Sequence, residues 1–570
     1  MIRKKLFYDN SDRAWQFWFI VTLVFAIAYG ILALKKAFQG EWVVQDDARQ
    51  HVFWMMRYVD PNLFPNDLIA DYFQSVAPFG YSSLYRGAVA LGFDPFVFNK
   101  LLPSIIGLVT TGYCFLLSKA IFPVPFGCFT ISLLLNQTLW LKDDIISGTP
   151  RAFVYPLFLA FLYYFSKQSL LPCCIAIALI GIFYPQYVLV ASGLLVIQLV
   201  KWQDGKPYLS QNRKDYYFCL IGLAVAFCVL LPYVLNASEY GPTITRAEAL
   251  ELPDFSIKGR SKFFRLHWWS YIIGGGRAGL LPRSLYTPAT LVFGFFMHWI
   301  LRSPKTFPLS KSVKPQVIVL PQLIMVAVGL FLAAHALLFK LHLPSRYSGH
   351  TLRIAITLAA GITITLILEA LINKLEVPKI PPVKKFLTLA LACAIAISLV
   401  CYPSLVKRFP ATKYKIGKQP ELYQFFQQQP KDILIASLVM EADNIPTFAK
   451  RSILVSREYA IPYHMGYYLP YRQRVIDLIE AQLSPDIEVI SQFIKKYGVT
   501  HWLIEDSGFD ADYIANNRWR RQHQPMAQEV VASLEKGAIP ALIAYKDSCA
   551  VFKSDRYTVL EAECILKIEN

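Results

Sequence analysis

Residues 15–34 read WQFWFIVTLVFAIAYGILAL and residues 45–51 read QDDARQH. The first run carries no charge and has the roughly 20 apolar residues that a bilayer crossing takes. The second places paired carboxylates, Asp46 and Asp47, at the edge of that crossing. They head a segment rich in Asp, Arg and aromatics that runs to Pro95. Two readings compete. Carboxylates at a lipid–water boundary can deprotonate an acceptor, or hold a metal, beside a substrate carried on a lipid. Equally, they can solvate and N-cap a following helix.

The apolar pattern recurs along the chain. Of 570 residues 55% are hydrophobic, 15% aromatic and only 17% charged, and mean hydropathy is +0.39. The apolar residues fall in blocks, which predicts a polytopic α-helical membrane protein of about eleven spans. These are 15–34, 96–117, 121–141, 152–166, 169–184, 186–200, 216–235, 285–301, 316–339, 354–372 and 386–402. Pro103, Pro172 and Pro321 interrupt three of them. No small-residue cleavage site precedes Trp15, so the first span reads as a retained anchor.

Orientation follows from Lys and Arg. With the N-terminus cytoplasmic, the inner segments are the Arg3-Lys4-Lys5 tail and the loops 201–215, 302–315 and 373–385, each loop with four basic residues. The longer outer loops 35–95 and 236–284 carry five and seven. That is the positive-inside pattern, and it places residues after Tyr402 outside the cell membrane. Nearly all of the net charge of +18 lies in residues 1–402; residues 403–570 hold 21 basic and 20 acidic residues. The excess speaks for topology and for anionic lipid or phosphate groups. No zinc-finger or RNP-type motif is present, so nucleic acid is excluded as a partner. Of ten cysteines, seven lie well inside predicted spans and act as small apolar residues, and Cys401 sits at a span end. Cys549 and Cys564 fall outside, where a disulfide is chemically allowed.

Three constellations carry chemistry. In the first outer loop Val52, Met55, Met56 and Val59 form an apolar stripe, predicting a surface helix from near Asp46. Asp47, His51, Trp54 and Tyr58 line its neighbouring face toward a cleft. Asp60, Asp67 and Asp71, beside prolines, read as turn and capping residues. The second constellation is Lys142-Asp143-Asp144-Ile145-Ile146-Ser147-Gly148-Thr149-Pro150-Arg151, a short outer loop. Asp143 and Asp144, with Asp47, offer hard oxygen ligands for Mg²⁺ or Mn²⁺, unless the loop is a hydrated turn. No His cluster or Cys-x-x-Cys suggests zinc.

The third is Leu343-Pro344-Ser345-Arg346-Tyr347-Ser348-Gly349-His350-Thr351-Leu352-Arg353, read as an outer loop between spans nine and ten. Arg346, Arg353 and His350 suit a phosphate clamp at headgroup depth; the alternative is two arginines snorkelling to ordinary lipid headgroups. In the loop 236–284, His267-Trp268-Trp269 and Arg277 are candidates for a substrate cleft, although Trp is also an ordinary interface residue.

From 403 the pattern changes to an extracytoplasmic α/β domain, 403–570, behind a basic, proline-bearing linker to Gln419. Strands are expected at 433–438, 452–456, 500–505, 541–545 and 549–553, and helices at 421–429, 472–482 and 486–497.

This layout resembles the GT-C superfamily of integral-membrane glycosyltransferases, in its looks a bacterial, cyanobacterial branch. The resemblance rests on the acidic opening of the first outer loop, the second outer acidic site and the soluble C-terminal domain, and it covers most of residues 1–402. It implies a polyprenyl-phosphate-linked sugar as donor and a glycan, lipid or protein acceptor in the cell envelope. It further implies inverting displacement, with Asp47 as base and Asp46 as near alternative. Arg346 and Arg353 would then stabilise the leaving phosphate, and Asp143 and Asp144 would bind a divalent ion or orient the acceptor. The soluble domain lacks the Trp-Trp-Asp acceptor motif of oligosaccharyltransferases, which argues against protein N-glycosylation. Two other classes fit a multi-span chain. A polysaccharide or lipid flippase would carry an internal repeat and midplane charges, neither of which the sequence shows. A non-catalytic assembly factor would have no need of Asp47.

Overall fold

The computed structural model describes residues 3–203, 206–235, 239–281, 287–377 and 380–569. Parts of the predicted loops 201–215, 236–284 and 373–385, and the first two residues of the predicted span 285–301, lie outside the described residues. Each of the eleven apolar stretches is largely helical where described, with breaks such as Phe122–Val124 within 121–141. Among the described residues six helices are long and apolar enough to cross a membrane: Asp12–Ala37, Pro95–Ile121, Arg213–Leu235, Pro315–Ala336, Pro344–Leu375 and Pro382–Leu405. The others are shorter. Pro125–Trp140, at 16 residues, spans about 24 Å, less than a bilayer core of about 30 Å.

The helix Pro344–Leu375 is the axis of the bundle. Its apolar window is 78% buried, against 17% for Pro382–Leu405, and it packs on Pro125–Trp140, Val319–Ala336 and Pro382–Cys401. It also corrects the sequence reading. Residues 343–353 are not a loop but, from Pro344 on, the first turns of this 32-residue helix. Pro344 sits at the first helical position, where its fixed φ and missing N–H cost nothing, and no further proline interrupts the helix.

The segment after the first helix differs from expectation as well. Only Ala48–His51 is α-helical, and Phe53–Tyr58 tightens to a 3₁₀ helix. Val52, Met55 and Met56 are buried as the stripe required, but Phe53 and Trp54 are buried too and Val59 is exposed. The reason is a cover on the other face: Phe53 packs edge-on against Tyr459 at 5.3 Å. A buried segment cannot lie along a membrane surface with one face open. Asp67 caps Leu68–Ser75, accepting from the N–H groups of Ile69 (2.8 Å) and Ala70 (3.0 Å). Asp71 pairs with Arg57 at 2.7 Å and Asp60 with Lys431 at 2.5 Å.

The stretch 403–419 is likewise more than a linker. Tyr414–Ile416 pairs antiparallel with Val43–Gln45, closing an open strand edge. Beyond it lies a five-stranded mixed sheet in the order Ser452–Ile453, Leu434–Ala436, His501–Glu505, Tyr557–Glu561, Ala550–Lys553. Its amphipathic helix Ile487–Tyr497 starts at the Asp486 cap and stops at Gly498 in the left-handed region, φ +65°. Residues 541–545, expected as a strand, form a 3₁₀ turn behind Pro540; Tyr557–Glu561 takes the place beside His501–Glu505 instead. Cys549 and Cys564 are bridged, tying the sheet's edge to the last helix.

Candidate active site

Asp46 and Asp47 follow the strand Val43–Gln45, where successive side chains diverge. Asp47 stands at the N-cap position of Ala48–His51, yet its side chain makes no capping bond. Gln45 does that work: its Oε1 accepts from the N–H groups of Asp47 (2.7 Å) and Ala48 (3.2 Å). The capping reading therefore fails for Asp47. Its Oδ2 accepts instead from Arg151 Nη2. Asp46 goes the other way, to Arg49 at 2.5 Å and Lys415 at 3.6 Å. Arg49 in turn meets Glu458 at 3.2 Å and the Asn444 side chain at 3.0 Å. Asp46 belongs to the seam with the C-terminal region.

Arg151 is fixed by a tight loop. Gly148 adopts φ +57°, and a Cβ there would lie 2.5 Å from Asn99 Nδ2, so glycine is required. Asn99 holds the loop by donating to the Ser147 carbonyl at 3.1 Å, and Pro150–Phe153 then turns Arg151 back onto the acidic pair. Arg151 Nη2 lies 3.1 Å from Asp143 Oδ2, and Nη1 lies 4.0 Å from Asp144 Oδ1. Lys413 reaches Asp143 at 3.0 Å. Asp144 is fully enclosed, with Arg353 at 2.5 Å and Lys142 at 3.2 Å. Burial alone would raise its pKa; Lys142, Arg353, His350 and Arg151 hold it well below the carboxylate range. Asp143 is lowered too, because Arg151 and Lys413 outweigh its burial. Burial pushes Lys142 down to about 8 although Asp144 opposes it.

Arg346, His350 and Arg353 are spaced by four and three, so they share one face of the long helix. Their environments differ. Tyr155 donates its hydroxyl proton to Asp144 at 2.9 Å and accepts from Arg353 at 2.6 Å. With that proton committed, His350 Nδ1, at 2.8 Å, donates to the same oxygen. Arg353 and His350 are thus spent inside the network rather than free for a phosphate. Arg346, one turn higher and half-buried, makes no ion pair among the described residues, and its buried Nε has no partner. Arg277 donates to the Tyr463 hydroxyl, and its carbonyl accepts from the Ser345 N–H at 3.2 Å. Between the two arginines, His342 is held down to about 3 by burial and by Arg346, Arg277 and His464. His51 is held down to about 4 by burial and by Arg151 and Arg346, against the pull of Asp47.

Asp47, Asp143, Asp144, Arg353 and His350 therefore converge through Arg151 and Tyr155, with Arg346 near enough to act on His51 and Lys142, and with Arg277 beside His342. His267, Trp268 and Trp269 do not join this group. The two indoles stack at 3.9 Å and stand about 60% exposed, and no hydrogen bond or ion pair links them to the network among the described residues. Sequence reading gave no role to Arg151, Lys142, Tyr155 or Lys413. The first two lay in view within the 142–151 motif; nothing marked the other two.

A divalent ion does not fit these residues as they stand. A guanidinium already bridges Asp47 and Asp143, and no group of three or more His, Cys, Asp or Glu side chains among the described residues is arranged to hold a metal.

No protein-family model matches the chain, and no curated protein matches it in sequence. In structure it is similar to the archaeal oligosaccharyltransferase AglB from Archaeoglobus fulgidus in complex with an inhibitory peptide and a dolichol-phosphate. The TM-score is 0.55 at 12% identity, over 90% of this chain and 72% of that one. The same A. fulgidus enzyme tethered to an acceptor peptide with an NVT sequon gives 0.53 at 12% identity, over the same 90% and 72%. Its complex with Zn and sulfate gives 0.51 at 12% identity, over 90% and 70%. At this identity the likeness is one of fold. These neighbours are archaeal and carry no assignment to a bacterial or cyanobacterial branch.

Proposed function

We propose that this chain is a membrane glycosyltransferase that moves a sugar from a polyprenyl-phosphate carrier to an extracytoplasmic acceptor with inversion. The carrying observation is the gathering of a partly exposed carboxylate, Asp47, with Arg346 and Arg277, about 300 and 230 residues away in sequence, neither of which has a carboxylate partner among the described residues. Asp47 keeps 34% of its side chain exposed. Arg151 holds its Oδ2, and Oδ1 is left to take the acceptor proton. The acceptor oxygen attacks the anomeric carbon, the carbon–oxygen bond to phosphate breaks, and the phosphate leaves with the electron pair. Arg346 and Arg277 stabilise that phosphate. The dolichol-phosphate bound in the AglB complex supports a lipid phosphate as the donor's handle.

In this reading Asp47 is the base and Asp46 a seam residue, while Arg353 and His350 position Asp144 instead of touching phosphate. The cytoplasmic N-terminus and outward C-terminal region rest on the distribution of Lys and Arg. The Cys549–Cys564 bridge suits an oxidising compartment. Transfer of labelled sugar from polyprenyl-phosphate donors by the purified protein tests the proposal. Activity is expected to fall at least about 100-fold in Asp47→Asn, whereas Asp46→Asn retains it. Equal transfer by the parent and Asp47→Asn would remove Asp47 as the base.

A further inference from the structure

We infer that Arg151 is the resident cation of this site, occupying the position among Asp47, Asp143 and Asp144 that a divalent ion would need. The inference rests on the glycosyltransferase reading for its relevance, though not for its geometry. Arg151 Nη2 is shared between Asp47 Oδ2 and Asp143 Oδ2, and Nη1 faces Asp144 Oδ1. These carboxylates come from two separate segments, so the guanidinium is what joins the base to the acidic loop.

Charge supports the same conclusion. Three carboxylates are met by Arg151, Arg353, Lys142 and Lys413, each within 4 Å of at least one of them. A divalent ion placed there would face cations already in excess, and would have to displace a guanidinium held by charge-assisted bonds to two partners. The Gly148 turn and the Pro150–Phe153 3₁₀ turn fix the backbone of Arg151, and its contacts to Asp47 and Asp143 hold the side chain. Unlike a metal, a planar guanidinium offers donors in fixed directions. It can hold one oxygen of Asp47 and leave the other free. Arg151 is therefore a positioning residue: it touches Asp47, not the sugar.

The test reads Mn²⁺ binding by electron paramagnetic resonance on the purified full-length protein, and so needs neither donor nor acceptor. The parent is expected to bind no stoichiometric Mn²⁺ at 100 µM, roughly the range of a weak carboxylate site. Arg151→Ala, which frees Asp47 and Asp143 and leaves Asp144 facing the gap, is expected to gain one equivalent that Arg151→Ala/Asp143→Asn loses. One Mn²⁺ per parent molecule, abolished by Asp143→Asn, would overturn the inference, and this arm stands even if Arg151→Ala does not fold. Where transfer is measurable, it should survive EDTA in the parent; loss of activity restored by Mn²⁺ would also overturn it. Absence of any transfer counts against the proposed function and leaves the Mn²⁺ result decisive for Arg151.

Discussion

Asp144 exposes none of its side chain and meets Arg353 Nη1 at 2.5 Å, Lys142 at 3.2 Å and the Tyr155 hydroxyl at 2.9 Å. A buried pair of this kind adds little over a well-packed apolar pair, yet removing one partner leaves an uncompensated charge. Asp144→Asn is therefore expected to destabilise the protein by about 3–5 kcal/mol. Asp144→Asn combined with Arg353→Met should recover much of that loss. Thermal unfolding in detergent checks both; equal loss in single and double variants would show that the pair is not coupled. Asp46 and Asp47 show why residue type alone does not assign a role. They are chemically identical neighbours, and only their partners, Arg49 for one and Arg151 for the other, separate seam from site.

At the scale of elements, the seam between the first loop and the C-terminal region is built on Glu458. It accepts from Gln50 at 2.5 Å and pairs with Arg260 at 3.1 Å and Arg49 at 3.2 Å. Burial pushes its pKa up to about 7, with Asp443 and Asp46 adding to the rise and Arg260 and Arg49 opposing it. The folded state thus keeps a proton that the unfolded chain loses near 4.5. The stability it contributes is fully present below pH 4.5 and is lost as pH rises through 7. The parent's melting temperature, measured against that of Glu458→Gln, should show a difference that changes between pH 4.5 and 7 in this sense. A pH-independent difference would sink the assignment. The helix Pro344–Leu375 shows the complementary point: the residues read as a loop carried helical spacing all along. Arg346, His350 and Arg353 at four and three were the signal, hidden because polar residues at a span end resemble a turn.

Across the whole molecule, the C-terminal region and the first loop share one hydrophobic core. Tyr72 stacks on Tyr467 at 3.8 Å, and Trp42 packs against Tyr423 at 5.1 Å. Burying two surfaces in one core makes their folding interdependent, because aromatic side chains dominate such cores. Residues 403–570 expressed alone are expected to expose Tyr459, Tyr467 and Tyr423, to bind hydrophobic dye and to melt without a sharp transition. A cooperative melt without dye binding would show an autonomous domain. The sequence by itself determined the apolar helical stretches, of which six are long enough to cross a membrane among the described residues, because apolar runs are legible from composition alone, and it marked the acidic and cationic motifs, because charge beside such a run is rare. It also placed the strands at 434–436, 452–453, 501–505 and 550–553 and the helices Pro420–Gln428, Met465–Leu483 and Ile487–Tyr497, since their periodicity is local, but it missed Tyr557–Glu561, Met526–Glu535 and Ala562–Glu569. Only the tertiary structure decided which carboxylate faces which arginine, that Arg353 and His350 are spent on Tyr155 and Asp144, and that the linker is a paired strand. Apart from the local Asp46–Arg49 and Asp143–Arg151 pairs, those outcomes depend on contacts between residues about 100 to 370 positions apart, and no spacing along the chain encodes such distances.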